Sequence, residues 1–144
     1  MQPDGPTVFV VDDDPQVRDS LQALVAAMHL PVLTFGSASE FRNHYDPSMS
    51  GCLILDIRMP VQNGIDLYEQ LLAEGKRLPV IFITAHADVT TAVAAMRTGA
   101  IEFLEKPFDR DVLRERINRS LELDEKWRSR EAEYDDFEKR IGRL

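Results

Sequence analysis

The chain has 144 residues, 44% of them hydrophobic and 29% charged, enough apolar material for one packed domain or one domain with an appendage. That composition excludes a disordered tail and a disulfide-stapled mini-protein. With 17 Lys and Arg against 25 Asp and Glu, the net charge of −8 argues against direct nucleic-acid binding by this chain, since phosphate neutralisation needs clustered cations.

Five short apolar runs recur, each followed by a loop and then by residues at helical spacing. They are TVFVV (Thr7 to Val11), PVLTF (Pro31 to Phe35), CLIL (Cys52 to Leu55), VIFIT (Val80 to Thr84) and AIEFL (Ala100 to Leu104). Three are almost continuously apolar and β-branched, as in parallel strands covered on both faces. After the first run, Asp14 is placed to cap a helix with Pro15 at its first position. Val17, Leu21, Leu24, Val25 and Met28 then share a face, and His29 is expected at that helix's end. Ser37 and Glu40 have the spacing of a capping box. Asn63-Gly64 turns into a third helix bearing Ile65, Tyr68, Leu71 and Leu72, with Leu67 beside them. Asp88 is placed to cap the fourth helix, Gly99 to end it, and Asp109 to cap the fifth. This alternation predicts an α/β domain with a parallel sheet and right-handed crossovers.

Ligands of such sheets sit beyond the carboxyl ends of the strands. No Gly-rich phosphate loop follows the first strand, which disfavours dinucleotide and P-loop readings. What does follow the strands is Asp12-Asp13-Asp14, Asp56, Thr84 and Lys106-Pro107. A parallel sheet puts these on one edge. Two carboxylates about 4 Å apart repel by roughly 4 kcal/mol at an effective dielectric of about 20, so such a cluster calls for a cation, a proton or water. Hard oxygen donors with open coordination sites suit Mg2+. Phosphoryl transfer is the chemistry favoured there, with a carboxylate as nucleophile. Taken singly, each residue has an ordinary reading: helix cap for an Asp (favoured for Asp14), strand terminus for Thr84, surface charge for Lys106, core aromatic for Phe103. Cys52 reads as a buried strand residue, and His44 and His86 as solvated ones.

VVDDD, LILDIRMPVQNG, VIFITAHAD and EFLEKPF, in this order and at these separations, resemble the receiver domain of two-component response regulators, over about residues 6 to 120. TAHAD and LDIRMP resemble most the FixJ-like subgroup. The resemblance implies a flavodoxin-like fold, a five-stranded parallel sheet of order 2-1-3-4-5. It implies Asp56 as phosphoryl acceptor from a histidine kinase, Asp12 and Asp13 with Asp56 as the Mg2+ ligands, and the Arg58 carbonyl as another. Thr84 and Lys106 would contact phosphoryl oxygens, Phe103 would be the aromatic switch tracking Thr84, and the Lys106-Pro107 bond would be cis. Arg58 and His86, each two residues past a site residue, are candidates for setting the phosphoryl lifetime. On this reading the domain is a signalling receiver, not a turnover enzyme.

Two rivals stand beside it. Asp12-x-Asp14 resembles the nucleophile motif of haloacid-dehalogenase-like phosphatases, although Pro15 and the lack of a cap insertion count against that. The other rival is a phosphorylation-independent dimerisation module.

Residues 121–144 are mostly charged, of mixed sign. Leu113, Leu123, Trp127, Tyr134, Phe137, Ile141 and Leu144 suggest a heptad seam interrupted by Arg116, Ser120 and Arg130. The expected organisation is a receiver over 1–120 and a linker or coiled-coil helix over 121–144, with an acidic disordered linker as the alternative. Homodimerisation is expected through the face of helix 4, strand 5 and helix 5, through this helix, or both. In FixJ-like regulators such a linker leads into a helix-turn-helix output, so a piece of a longer transcriptional regulator is expected. The opening MQPDGP lacks the positive cluster and apolar segment of a secretory signal, and no apolar run approaches the roughly 20 residues of a membrane span. A single cysteine fits a reducing compartment, and a cytoplasmic location is expected.

Overall fold

The computed structural model describes residues 5–85, 89–99 and 102–141. Strands β1 (Thr7–Val11), β2 (Val32–Phe35), β3 (Gly51–Asp56), β4 (Val80–Thr84) and β5 (Glu102–Glu105) alternate with helices α1 (Pro15–Ala27), α2 (Ala38–His44), α3 (Gly64–Ala73), α4 (Val89–Arg97) and α5 (Arg110–Ile141). The strands form one parallel sheet in the order β2-β1-β3-β4-β5. Chain order reverses beside β1, which leaves a crevice between the carboxyl ends of β1 and β3.

Alternate strand residues feed two cores, as the two-residue period of a strand requires. Phe9, Val11, Leu53, Leu55 and Phe82 pack with Phe41 of α2, Leu67, Tyr68 and Leu71 of α3, and Ala95 of α4. Val8, Val10, Cys52, Ile54, Ile81 and Ile83 pack with Leu21, Leu24 and Val25 of α1 and Leu113 and Ile117 of α5. Central β1, β3 and β4 are buried throughout, whereas the edge strand β2 is only half-buried. On α3, Tyr68 and Leu71 are buried as the spacing predicts, but Leu67 joins them in the core and Leu72 faces solvent, so the buried face is turned slightly from the one expected.

The predicted caps form. Asp14 accepts from the Gln16 N–H, Asn63 from Asp66, and Asp109 from Asp111 and Val112. Ser37 Oγ accepts from Glu40 N–H at 3.1 Å, but the Glu40 carboxylate reaches past the cap to Gly36 N–H at 2.9 Å. The proposed Asp88 cap lies outside the described residues. Gly75 and Gly99 end α3 and α4 in the left-handed conformation. His29 does the same for α1 at φ 61°, with His29 N–H bonded to Ala26 O and Leu30 N–H to Val25 O. The end of β5 is displaced from the predicted run: the strand is Glu102–Glu105, and Ala100 and Ile101 lie outside the described residues.

Helix α5 runs for 32 residues, and its buried side chains are Leu113, Ile117, Ser120 and Asp124. Leu113 therefore belongs to the domain core and not to the seam read from the sequence. At about 100° per residue, Leu123, Trp127, Tyr134 and Ile141 lie roughly a quarter turn away from that buried stripe.

Candidate functional site

β1 enters the carboxyl edge with Val11 fully buried, and the next residue, Asp12, is also fully buried. Its two oxygens are held differently. Oδ1 accepts the Asp14 N–H at 2.9 Å, which fixes the turn into α1, and Oδ2 lies 2.9 Å from Lys106 Nζ. Arg18, one turn into α1, donates to the Asp12 carbonyl at 2.7 Å and secures the same turn from the helix side. Asp13 is exposed at the mouth.

Asp56 is the last residue of β3 and is almost wholly buried. Carboxylate oxygens of Asp12, Asp13 and Asp56 lie within 4.8 Å of one another. Lys106 Nζ is 3.7 Å from Asp56 Oδ1 and so faces two of the three acids. Burial first, and the Asp12 charge second, push the Asp56 carboxyl up to about 7, against the opposing pull of Lys106. Three clustered oxygen acids balanced by one ammonium leave excess negative charge, a donor set suited to a hard divalent cation.

The Lys106 N–H bonds the Thr84 carbonyl at 2.8 Å, tying the end of β5 to the end of β4. Thr84 is fully buried. The Lys106-Pro107 bond is cis, as expected. Phe103 is half-buried and packs against the core on the α2–α3–α4 face, pairing in register with Phe82. Arg58 is exposed beside the acceptor strand, and its neighbour Ile57 is pinned by N–H to the Ile83 carbonyl at 3.0 Å. Gly64 lies against Asp56: a Cβ there would come within 2.3 Å of the Asp56 carbonyl oxygen. The sequence placed His86 near Thr84, but it falls outside the described residues.

A family model described as the response regulator receiver domain matches residues 8–118. The chain belongs to the response regulator receiver family. This receiver is 42% identical over 122 residues to the response regulator protein TodT of Pseudomonas putida, covering 85% of this chain and 54% of TodT. It is 36% identical over 137 residues to the transcriptional regulatory protein FixJ of Bradyrhizobium diazoefficiens, covering 95% of this chain and 67% of FixJ. Among solved structures, the response regulator StyR superposes with TM-score 0.90 at 45% identity, covering 96% of this chain and 70% of that one. The crystal structure of FixJ-N superposes with TM-score 0.75 at 39% identity, covering 85% of this chain and 96% of that one. The receiver thus spans about half the length of TodT. No helix among the described residues is long and apolar enough to cross a membrane.

Two contacting residues were not singled out from the sequence. Asp124 and Arg128 of α5 engage the opposite end of the sheet from the acids. An Asp–Arg pair at this spacing was legible, but so was Asp136–Arg140, which is an exposed ion pair. Spacing alone does not separate them.

Proposed function

We propose that Asp56 accepts a phosphoryl group from the phosphohistidine of a sensor histidine kinase in a Mg2+-dependent reaction. The modification biases self-association and, through it, a transcriptional output carried by a longer regulator. The supporting observation is the meeting of Asp12, Asp13, Asp56 and Lys106, drawn from three strand ends, at one carboxyl edge. The receiver is assigned to residues 1–120 and the linker helix to 121–144, in a cytoplasmic protein that contacts neither membrane nor nucleic acid through this chain.

An Asp56 carboxylate oxygen attacks phosphorus, and the bond from phosphorus to the kinase imidazole breaks, the imidazole leaving with the electron pair. Asp12, Asp13, the Asp56 carboxylate and the Arg58 carbonyl would hold Mg2+, which supplies neutralisation of the developing phosphoryl charge. Lys106 pairs with one phosphoryl oxygen, and the Thr84 hydroxyl bonds another. The new group adds about −1.5 to −2 charges and strong acceptor oxygens, which draw Thr84 and Lys106 inward and let Phe103 turn into the space released. That remodels the face of α4, β5 and α5, where homodimerisation is assigned, together with the Tyr134, Phe137 and Ile141 stripe. Arg58 and His86 modulate attack by water on the phosphoryl group.

The phosphatase alternative would make Asp12 the nucleophile. Asp12 is fully buried with one oxygen engaged by the Asp14 N–H and the other by Lys106 at 2.9 Å, whereas Lys106 stands off Asp56 Oδ1 at 3.7 Å, which favours Asp56 as the nucleophile. Incubation with acetyl phosphate and Mg2+ is expected to add one phosphoryl mass to a peptide containing Asp56, and none to an Asp56→Ala variant. Label on Asp12, or equal labelling of both proteins, overturns the reading. Unchanged oligomeric state and structure on adding beryllofluoride would instead favour the phosphorylation-independent module.

A further inference from the structure

The amino ends of the strands carry a second polar cluster, far from the acids. Asp124 is 2% exposed, and its Oδ2 accepts the Gly51 N–H at 2.9 Å. Arg128 Nε donates to both Asp124 oxygens, at 3.2 and 3.0 Å. The Arg128 guanidinium also donates to the Pro47 carbonyl at 3.2 Å and to the Met49 carbonyl. One turn of helix thus binds the loop entering β3 and the first residue of β3. Beside it, Trp127 stacks under the Arg77 guanidinium at 5.6 Å, close to the start of β4.

Gly51 is built for this. Its φ is +141°, and a Cβ there would lie 1.7 Å from the Thr7 carbonyl oxygen, so only glycine lets β3 press so closely on β1. Its N–H points away from the sheet to the Asp124 carboxylate. A buried carboxylate paired with both a guanidinium and a backbone N–H is a costly contact to break, because either partner's loss strands a charge away from water. The Asp136–Arg140 pair has the same spacing but side chains 62% and 77% exposed, and water screens it.

We infer that the Asp124–Arg128 clasp is a latch that fixes the rotational phase of the linker helix on the sheet, and thereby the direction in which the exposed Tyr134, Phe137 and Ile141 stripe points. Past Arg128, residues 129–141 are all exposed, so their direction is inherited from the last docked turn. A helix is stiff over this span, about 26 Å from Asp124 to Ile141 at 1.5 Å per residue. A roll at the clasp therefore turns the stripe by the same angle, and a small tilt there is levered into a larger displacement at the stripe. The clasp grips β3, the strand whose far end is Asp56, so the linker and the acidic site share one rigid strand about 17 Å long. The latch itself does not depend on phosphorylation, and its test needs none.

Spin labels at Ser39→Cys on α2 and Glu138→Cys on α5, diluted with unlabelled full chain, report the angle of the helix to the body. Wild type is expected to give one narrow distance distribution and a slowly exchanging Gly51 amide. Arg128→Ala is expected to broaden the distribution at least about twofold and to speed Gly51 exchange about tenfold or more, the scale of one lost charge-assisted hydrogen bond. Arg140→Ala, which breaks the exposed pair, leaves both readings at wild type. A folded Arg128→Ala with the wild-type distribution, or a broad distribution in wild type, overturns the latch. Should Arg128→Ala fail to fold, Arg128→Lys is read by the same two criteria, since it keeps the charge but loses the fork that spans Asp124, Pro47 and Met49.

Discussion

Lys106 Nζ lies 2.9 Å from Asp12 Oδ2 and 3.7 Å from Asp56 Oδ1, so one ammonium joins two acids from different strands. Asp12 is 94 residues away in the chain and fully buried. Removing the ammonium leaves an uncompensated buried carboxylate beside a second one. Lys106→Met is therefore expected to lose about 2–3 kcal/mol of stability in metal-free buffer. Part of that loss returns on adding Mg2+, which replaces the missing positive charge. Urea denaturation with and without Mg2+ measures both, and an unchanged midpoint in metal-free buffer would contradict the pairing.

The Asp56 carboxyl sits up near 7 because burial and Asp12 disfavour its charged form. A carboxyl raised in the folded state favours folding while it is protonated. That contribution is complete below the unfolded value of about 4 and is lost as pH rises through about 7. In EDTA the melting temperature is thus expected to fall across pH 4 to 7 relative to Asp56→Asn, which removes this group's titration. Parallel melting curves for the two proteins over that range would exclude the shift.

His29 occupies, at φ 61°, the left-handed position that Gly75 and Gly99 fill in α3 and α4. His29 is exposed, and a side chain with a Cβ strains the backbone at this φ in a way that glycine does not. His29→Gly is expected to raise stability by up to about 1 kcal/mol, with no change in labelling of Asp56. Chemical denaturation decides the sign.

A Cβ on Gly64 would meet the Asp56 carbonyl oxygen at 2.3 Å. The obstacle is backbone, which cannot swing aside as a side chain does. Gly64→Ala should cost roughly 1–3 kcal/mol, the range for overpacking, and should slow acetyl phosphate labelling by displacing the acceptor. Wild-type labelling kinetics would show that the β3–α3 turn has slack.

Tyr134, Phe137 and Ile141 are 60%, 57% and 47% exposed. Changing all three to Glu or Lys should leave the melting temperature of the receiver within a degree or two, since none touches its core. Self-association measured by sedimentation should fall at least about tenfold if this stripe forms the contact, because three apolar side chains of this kind together contribute well over 1.4 kcal/mol.

The alternation of apolar runs with capped helices was written locally, in Val and Ile clusters, in Asp14-Pro15 and in Asn63-Gly64, so the sheet and its helices could be read without coordinates. The acids and Lys106 were legible for a related reason: a parallel sheet sends every strand end to one edge, whatever the length of chain between. Register and face were less legible. Leu72 satisfied helical spacing but faces water, and Leu113 satisfied the seam but lies in the core, because periodicity gives a face without saying which neighbour covers it.

What the residue pattern determined alone was therefore the alternation of strands and helices and the gathering of charge at one edge, both set by short-range preferences and by the polarity of the strands; the strand order came from the family resemblance and is shown by the sheet. Only the tertiary structure decided that Asp124 and Arg128 are buried partners of Gly51 while Asp136 and Arg140 stay in solvent. The two pairs are the same in composition and spacing. What separates them is how far the body of the domain reaches along the helix, and that depends on packing across 73 residues of chain.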